Sequence, residues 1–181
     1  MRVTPTAIAD VLVIEPEVFG DARGFFFESF NERAFAQLTG ITAKFVQDNH
    51  SRSVRNTLRG LHYQIQQPQG KLVRAVTGEV FDVVVDIRRS SSTFGRSVGV
   101  RLSAENKKLM WVPPGLAHGF SVLSEYADFL YKTTDYWAPQ YERTILWNDP
   151  EIAIAWPLAD EPILAAKDRA GKRLYEADVF D

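Results

Sequence analysis

The 181 residues include no cysteine, which excludes disulfide staples, thiolate metal sites, iron–sulfur clusters and cysteine nucleophiles. Histidine is scarce: His50, His62 and His118 are the whole supply of imidazole. No apolar run approaches the roughly eighteen residues that a membrane-spanning helix needs. Neither sign of charge dominates, with 21 Lys and Arg against 23 Asp and Glu and a net charge of −2. That balance argues against a general binder of nucleic acid or membrane surfaces. Residues 1–16 lack a basic stretch followed by an uninterrupted apolar block, a poor match to a secretory signal, and the expected location is the cytoplasm.

What is present is ordinary for a folded domain: 45% hydrophobic and 24% charged residues. A chain of this length buries roughly 70% of its unfolded surface and needs no metal or disulfide to hold a core. The dominant texture is short β-type runs between turn residues, expected at 11–14, 24–30, 44–50, 57–64, 71–77, 79–88, 97–102, 109–112, 119–123 and 126–136. Asn31 reads as the N-cap of one short helix over 32–38, closed by Gly40. Thr77 and Gly78 read as a hairpin turn into a run in which Phe81, Val83, Val85 and Ile87 alternate with a second face. After Asp149, prolines at 150, 157 and 162 break up any long element, so the tail is expected to wrap the body in loops and short helical turns. No repeat, linker or low-complexity tract interrupts the chain. The expectation is a single domain over 1–181, an all-β sandwich or barrel.

Three segments carry concentrated polar chemistry. In Arg59-Gly60-Leu61-His62-Tyr63-Gln64, strict alternation sends Arg59 and His62 to opposite faces. A bulge at Gly60 would bring them to one face. Read alone, His62 is better explained by a satisfied core or surface histidine, the commoner fate of a lone imidazole. Pro113-Pro114-Gly115-Leu116-Ala117-His118 has the P-x-G-x-x-H form of cupin-type barrels, in which a turn presents a histidine to the interior; turn chemistry alone also explains its Pro and Gly. Cupin barrels often hold a metal on histidines and a carboxylate, but the H-x-H pair is missing here, since His62 is followed by Tyr63 and Gln64. No metal is expected. In the third segment, Phe129, Tyr131, Thr133, Asp135 and Trp137 share a face by period two. Core packing accounts for Phe129, while aromatics mixed with Thr and Asp suit a lined cavity. Arg52, Arg55, Arg59, Lys71 and Arg74 cluster in sequence; a solvated face is the plainer explanation of any one of them, while a cavity for a small diphosphate would need a few, with forked arginines gripping its oxygens. Arg23 could join them. Lys167 and Asp168 look like plain surface residues.

Taken in order, these segments resemble the dTDP-4-dehydrorhamnose 3,5-epimerase family. The likeness is carried by Asp21-Ala22-Arg23-Gly24-Phe25-Phe26-Phe27-Glu28, Phe45-Val46-Gln47-Asp48-Asn49-His50-Ser51, Leu58-Arg59-Gly60-Leu61-His62-Tyr63-Gln64, Gln69-Gly70-Lys71-Leu72-Val73-Arg74, Trp111 through Phe120, and Phe129-Leu130-Tyr131-Lys132-Thr133. It implies a cupin-type jelly roll working as a homodimer, with no metal and no organic cofactor. It also implies roles: His62 as base, Asp168 as its carboxylate partner, Tyr131 as acid on the other face of the sugar, and Lys71 near the ketone oxygen. Arg23, Glu28, Gln47, Asn49, Arg59, His118, Glu142 and Lys167 fall at positions that contact nucleotide or sugar in the family. Trp137 falls where the family has a tyrosine stacked on thymine, and an indole keeps the flat π surface.

The implied partner is a dTDP-linked 4-keto-6-deoxyhexose, inverted at C3 and C5 to give dTDP-4-dehydro-L-rhamnose. Loss of a proton beside the C4 ketone leaves an enolate, and a neutral imidazole with pKa near 6.5 is a fitting base. Inversion needs the returning proton to come from the opposite face, which a phenol with pKa near 10 can supply. No hydride moves, and no G-x-G-x-x-G fingerprint is seen. Two alternatives stand beside this reading: a monoepimerase acting at C3 or C5 only, and a non-catalytic cupin-like module that binds a sugar nucleotide.

Overall fold

The computed structural model describes residues 1–181. Its elements follow one another as β1 (Arg2–Pro5), β2 (Leu12–Glu15), β3 (Phe19–Asp21), β4 (Gly24–Phe26), α1 (Glu32–Thr39), β5 (Gln47–Val54), β6 (Leu58–Gln64), β7 (Lys71–Thr77), β8 (Glu79–Asp86), β9 (Ser97–Ser103), β10 (Leu109–Val112), β11 (Leu116–Val122), β12 (Tyr126–Thr133), β13 (Glu142–Thr144) and α2 (Ala166–Arg169). Six strands form one sheet in the order β1-β2-β10-β7-β12-β5, and five form the other in the order β13-β6-β11-β8-β9. β3 and β4 make a separate hairpin. From β5 onward the chain crosses between the two sheets at every connection except β8 to β9. That is the winding of a cupin-type jelly roll.

Period-two patterning sorts side chains into three layers. Val73, Ala75, Val80, Val84, Phe120 and Phe129 belong to the apolar cluster between the sheets. Residues one step out of phase point outward. Leu72 and Leu109 meet Phe35 of α1 and Trp111 on the outside of the six-stranded sheet. Leu61, Val83, Val85 and Ala117 meet Ile145, Ile152 and Leu174 from the C-terminal half on the outside of the five-stranded sheet. Burying a side chain such as Phe129, 1% exposed, contributes about 1.5–3 kcal/mol. Asn31 caps α1 by accepting from the Ala34 N–H at 3.0 Å, and Gly40 closes it in a left-handed conformation, as expected.

Several expectations need correction. β7 and β8 do not pair; they lie in different sheets. Only Gly78 separates them, too little for a two-residue hairpin turn, so the chain turns the corner of the sandwich instead. The aromatic run at 24–30 is a strand only to Phe26, and the run at 126–136 stops at Thr133, where the Thr133 hydroxyl donates to the Asp135 carbonyl at 2.8 Å and folds the chain into a turn. The strand expected over 44–50 begins at Gln47 and continues to Val54. β13 interrupts a stretch in which no strand was expected, whereas α2 is one of the short helical turns expected in the tail.

The bulge expected at Gly60 is present. On β11 only Gly119 lies between His118 and Phe120, whereas their partners on β6, His62 and Arg59, are separated by both Gly60 and Leu61. The strands approach closely there. A Cβ on Gly60 would lie 2.6 Å from the Gly119 Cα, and one on Gly119 would lie 2.5 Å from the Arg59 carbonyl oxygen. Gly60 also has φ +119°, which L side chains rarely adopt. The extra residue re-phases the strand, so Arg59 and His62 open onto the same cavity.

Candidate active site

Between the sheets, at one end of the roll, lies a cavity of about 560 Å³. One wall is the five-stranded sheet, which contributes Arg59, His62 and Gln64 from β6, His118 from β11 and Glu142 from β13. The other is the six-stranded sheet, with Gln47 and Asn49 from β5, Lys71 from β7, and Phe129 and Tyr131 from β12. Residues 163–168 cover part of one side, and Trp137 stands at the edge.

His62 Nε2 bonds Asp168 Oδ1 at 2.5 Å. A carboxylate only accepts, so Nε2 carries the hydrogen and Nδ1 keeps the lone pair. Asp168 is 1% exposed, not the surface residue its local sequence implies. Its segment is strapped to the body at both ends. Ile163 bonds backbone to backbone with Asn56 and Leu58, and Lys172 does so with Thr144 and Leu146. Between these anchors α2 lowers Asp168 onto His62. Burial lowers the His62 pKa below its ordinary 6.5, opposed by the bond to Asp168. The ring is therefore neutral near neutral pH.

His118 lies directly opposite His62 in the β6–β11 register. Its Nε2 sits 3.0 Å from both oxygens of Asp82, which is fully buried on β8. Burial pushes the Asp82 pKa up, opposed by His118 and Lys71. Lys71 is itself buried, and its Nζ donates to the His62 carbonyl at 3.4 Å. Desolvation brings its pKa down to about 8, while the charges of Asp82 and Glu142 pull it up. Burial raises the Tyr131 pKa above 10, with Arg59 opposing, so the phenol keeps its proton. Hence one wall offers a neutral imidazole, the facing wall a protonated phenol, and a buried ammonium stands beside them.

The polar groups at the rim hold one another. Arg59 Nε donates to Ser53 Oγ at 2.9 Å, Gln47 Nε2 donates to Asn49 Oδ1 at 2.9 Å, and Lys167 Nζ donates to Glu142 Oε1 at 2.8 Å. Trp137 is 59% exposed, an aromatic face available to a guest.

Two expected contact residues lie elsewhere. Arg23 sits at the β3–β4 hairpin, where Asp21 captures its guanidinium at 2.5 Å, and its side chain is 90% exposed. Glu28 accepts from Asn31 Nδ2 at 3.0 Å. Neither lines this cavity, because the hairpin and the loop after it lie along the outside of the six-stranded sheet. There Phe27 meets Arg74 and Phe30 meets Lys132. The basic cluster also divides. Arg59 and Lys71 line the cavity, Arg52 and Arg74 point out of the opposite face, and Arg55 is exposed in the turn after β5. His50 too is on the outer face, bonded to Asp128 at 2.9 Å, so the three imidazoles do not converge. Asp82 was missed by sequence reading. Its signal was there, a single carboxylate in the otherwise apolar stretch Val80-Phe81-Asp82-Val83-Val84.

The sequence model described as dTDP-4-dehydrorhamnose 3,5-epimerase matches residues 5–176. The chain is 67% identical over 180 residues to the dTDP-4-dehydrorhamnose 3,5-epimerase of Pseudomonas aeruginosa, covering 99% of each. Among solved structures, it is similar to the dTDP-6-deoxy-D-glucose-3,5-epimerase of Legionella pneumophila in complex with dTDP-4-keto-L-rhamnose, with a TM-score of 0.96, 55% identity, and 98% and 94% of the two chains covered. It is also similar to a 3'-monoepimerase from Streptomyces bikiniensis in complex with dTDP-quinovose, with a TM-score of 0.89, 35% identity, and 94% and 87% covered. The chain belongs to the dTDP-4-dehydrorhamnose 3,5-epimerase family and is an isomerase.

Proposed function

We propose that this cavity binds dTDP-4-dehydro-6-deoxy-D-glucose and inverts C3 and C5 by proton removal on one face and return on the other, giving dTDP-4-dehydro-L-rhamnose. The observation that carries the reading is the pairing across one cavity of the Asp168-bound imidazole of His62 with the partly buried phenol of Tyr131. His62 Nδ1 takes the proton from the carbon beside the ketone. The C–H electron pair becomes the enolate, whose charge moves onto the C4 oxygen. Lys71 holds that oxygen, stabilising charge that grows only toward the transition state. Asp168 stabilises the imidazolium. Tyr131 then delivers its proton to the opposite face of the same carbon. His62 returns its proton to water, Tyr131 regains one, and the second carbon follows through the same C4 oxygen. No electrons leave the sugar, so the chemistry calls for no redox cofactor.

Arg59, Gln47, Asn49, His118, Glu142 and Lys167 are the contacts proposed for the nucleotide and sugar, and Trp137 the surface on which the base stacks. In heavy water, the proposed reaction places deuterium at both C3 and C5. Uptake at a single carbon would instead establish a monoepimerase. Binding with no exchange would establish a non-catalytic module. Greater identity to the double epimerases above than to the monoepimerase favours the first outcome.

A homodimer, located in the cytoplasm, is part of the same proposal. Phe19, Phe25 and Phe26 on the hairpin are 58%, 63% and 67% exposed, which a second copy would cover. Arg23 and Glu28, remote from their own cavity, would then contact ligand in the partner's. Mixing R23A with H62A tests this: with shared sites each variant alone is impaired and the hybrid regains activity, whereas with self-contained sites R23A is active by itself and mixing restores nothing.

A further inference from the structure

The segment that carries Trp137, between β12 and β13, is held less by sheet pairing than by the side-chain amides of three glutamines. Gln64, the last residue of β6 and 4% exposed, makes two of these four bonds and a third to the loop before β7. Its Nε2 donates to the carbonyls of Gln67 at 2.8 Å and Tyr136 at 3.2 Å, and its Oε1 accepts from the Ala138 N–H at 2.8 Å. Two of these bonds fall on the residues immediately before and after Trp137. Gln47 Oε1 accepts from the Trp137 N–H itself at 3.0 Å, and Gln69 Nε2 donates to the Asp135 carbonyl at 2.9 Å. Both hydrogens and the oxygen of the Gln64 amide are engaged. A carboxylate in its place lacks both hydrogens, and an aliphatic chain lacks all three functions.

The indole is largely exposed, so its attitude is set chiefly by the backbone beneath it. A platform already fixed before the guest arrives avoids the ordering cost that a loose aromatic would incur on binding. We propose that Gln64 is a positioning residue for nucleobase recognition, its buried amide bracketing Trp137 on both sides so that the ring stands ready to stack. This rests on the reading of Trp137 as the surface for the base.

The test is a double-mutant cycle on the full chain, with dissociation constants measured by calorimetry for dTDP and for inorganic pyrophosphate, which has no base. Q64L, which removes all three amide functions without adding charge to the cavity wall, is expected to weaken dTDP roughly tenfold, the scale of one lost base–aromatic stack, and to leave pyrophosphate within twofold. W137A should do at least as much to dTDP. The double variant should bind dTDP no more weakly than W137A alone, because two residues that act as one unit are not additive. In turnover, the Q64L loss should fall on KM far more than on kcat, and Q64M serves if Q64L does not fold. Equal weakening of dTDP and pyrophosphate, additive losses, or a loss confined to kcat would each overturn the role of Gln64 while leaving Trp137 as the platform. Unchanged dTDP binding in W137A would overturn the platform itself, and the role of Gln64 with it.

Discussion

Two imidazole–carboxylate pairs stand side by side in one cavity, and they are built differently. His118 and Asp82 come from adjacent strands of one sheet, both nearly dry, with the ring nitrogen shared between two oxygens. His62 takes its carboxylate from a strap 106 residues away, through one bond, and its side chain remains 22% exposed. The first pair is fixed by the sheet register itself. The second exists only when the tail is docked, and its ring has an open side. A base must reach its substrate and hold its tautomer at the same moment, and only the strapped pair meets both conditions. The sheet-built pair is suited to holding a fixed donor or acceptor and to placing negative charge near Lys71.

The sharpest way to break this comparison is to remove each ring in turn. H62A should lower kcat by about 10³–10⁴-fold, the scale of a lost general base, or about 4–5.5 kcal/mol of barrier, with dTDP still bound. H118A should act mainly on KM. Steady-state kinetics beside dTDP calorimetry distinguish the two, and a larger kcat loss in H118A would reverse the assignment. D168N comes next, with a fall of about 10³-fold. Its amide can donate to Nε2, which moves the ring hydrogen to Nδ1 and removes the lone pair that takes the substrate proton. Deuterium uptake by D168N at the wild-type rate would end the claim that the strap serves the chemistry.

A third experiment uses the intact protein. His62 must be neutral to act, and burial lowers its pKa, so the ascending limb of log kcat/KM should have its midpoint below pH 6.5. Lys71 must be charged, and its pKa of about 8 sets the descending limb near that value. Because burial disfavours the charged form of both groups, both limbs lie below the ordinary values of 6.5 and 10.5. A rate still rising through pH 9 would remove Lys71 from the mechanism.

How much of this was legible in the chain follows from the range of each interaction. Alternation exposed the strands, and Gly60 exposed the bulge, because both are encoded within a few residues. The Asn31 cap and Gly40 close were legible for the same reason. The sheet to which a strand belongs was not: Thr77-Gly78-Glu79 reads as a hairpin until the core on both sides forces the chain across the sandwich. Asp168 lies among Ala, Lys and Arg, and nothing local marks it as buried, since its burial comes from anchors at Asn56, Leu58, Thr144 and Leu146. Only the family likeness pointed to it, as it did to Glu142 and Lys167. The same likeness assigned Arg23 and Glu28 to a ligand, and within one chain they do not reach it.

The smallest expected effect is the most discriminating for the sheet-built pair. D82N keeps an acceptor for His118 and nearly the same volume, so binding and the plateau rate should change little, within about fivefold of wild type near pH 6.5, as for a hydrogen bond kept but stripped of its charge. What it removes is the negative charge that raises the Lys71 pKa. The groups left facing Lys71 are Glu142, which also raises it, and Lys167, which lowers it. The ammonium then loses its proton at lower pH, and the descending limb of kcat/KM should move toward acid while the ascending limb, set by His62, stays in place. H118Q replaces the ring by an amide that can still donate to Asp82, so the buried carboxylate keeps a partner and its charge, and the descending limb should stay near pH 8. If D82N and H118Q moved that limb equally, Asp82 would act only through the imidazole, and the two pairs would differ in burial alone rather than in task.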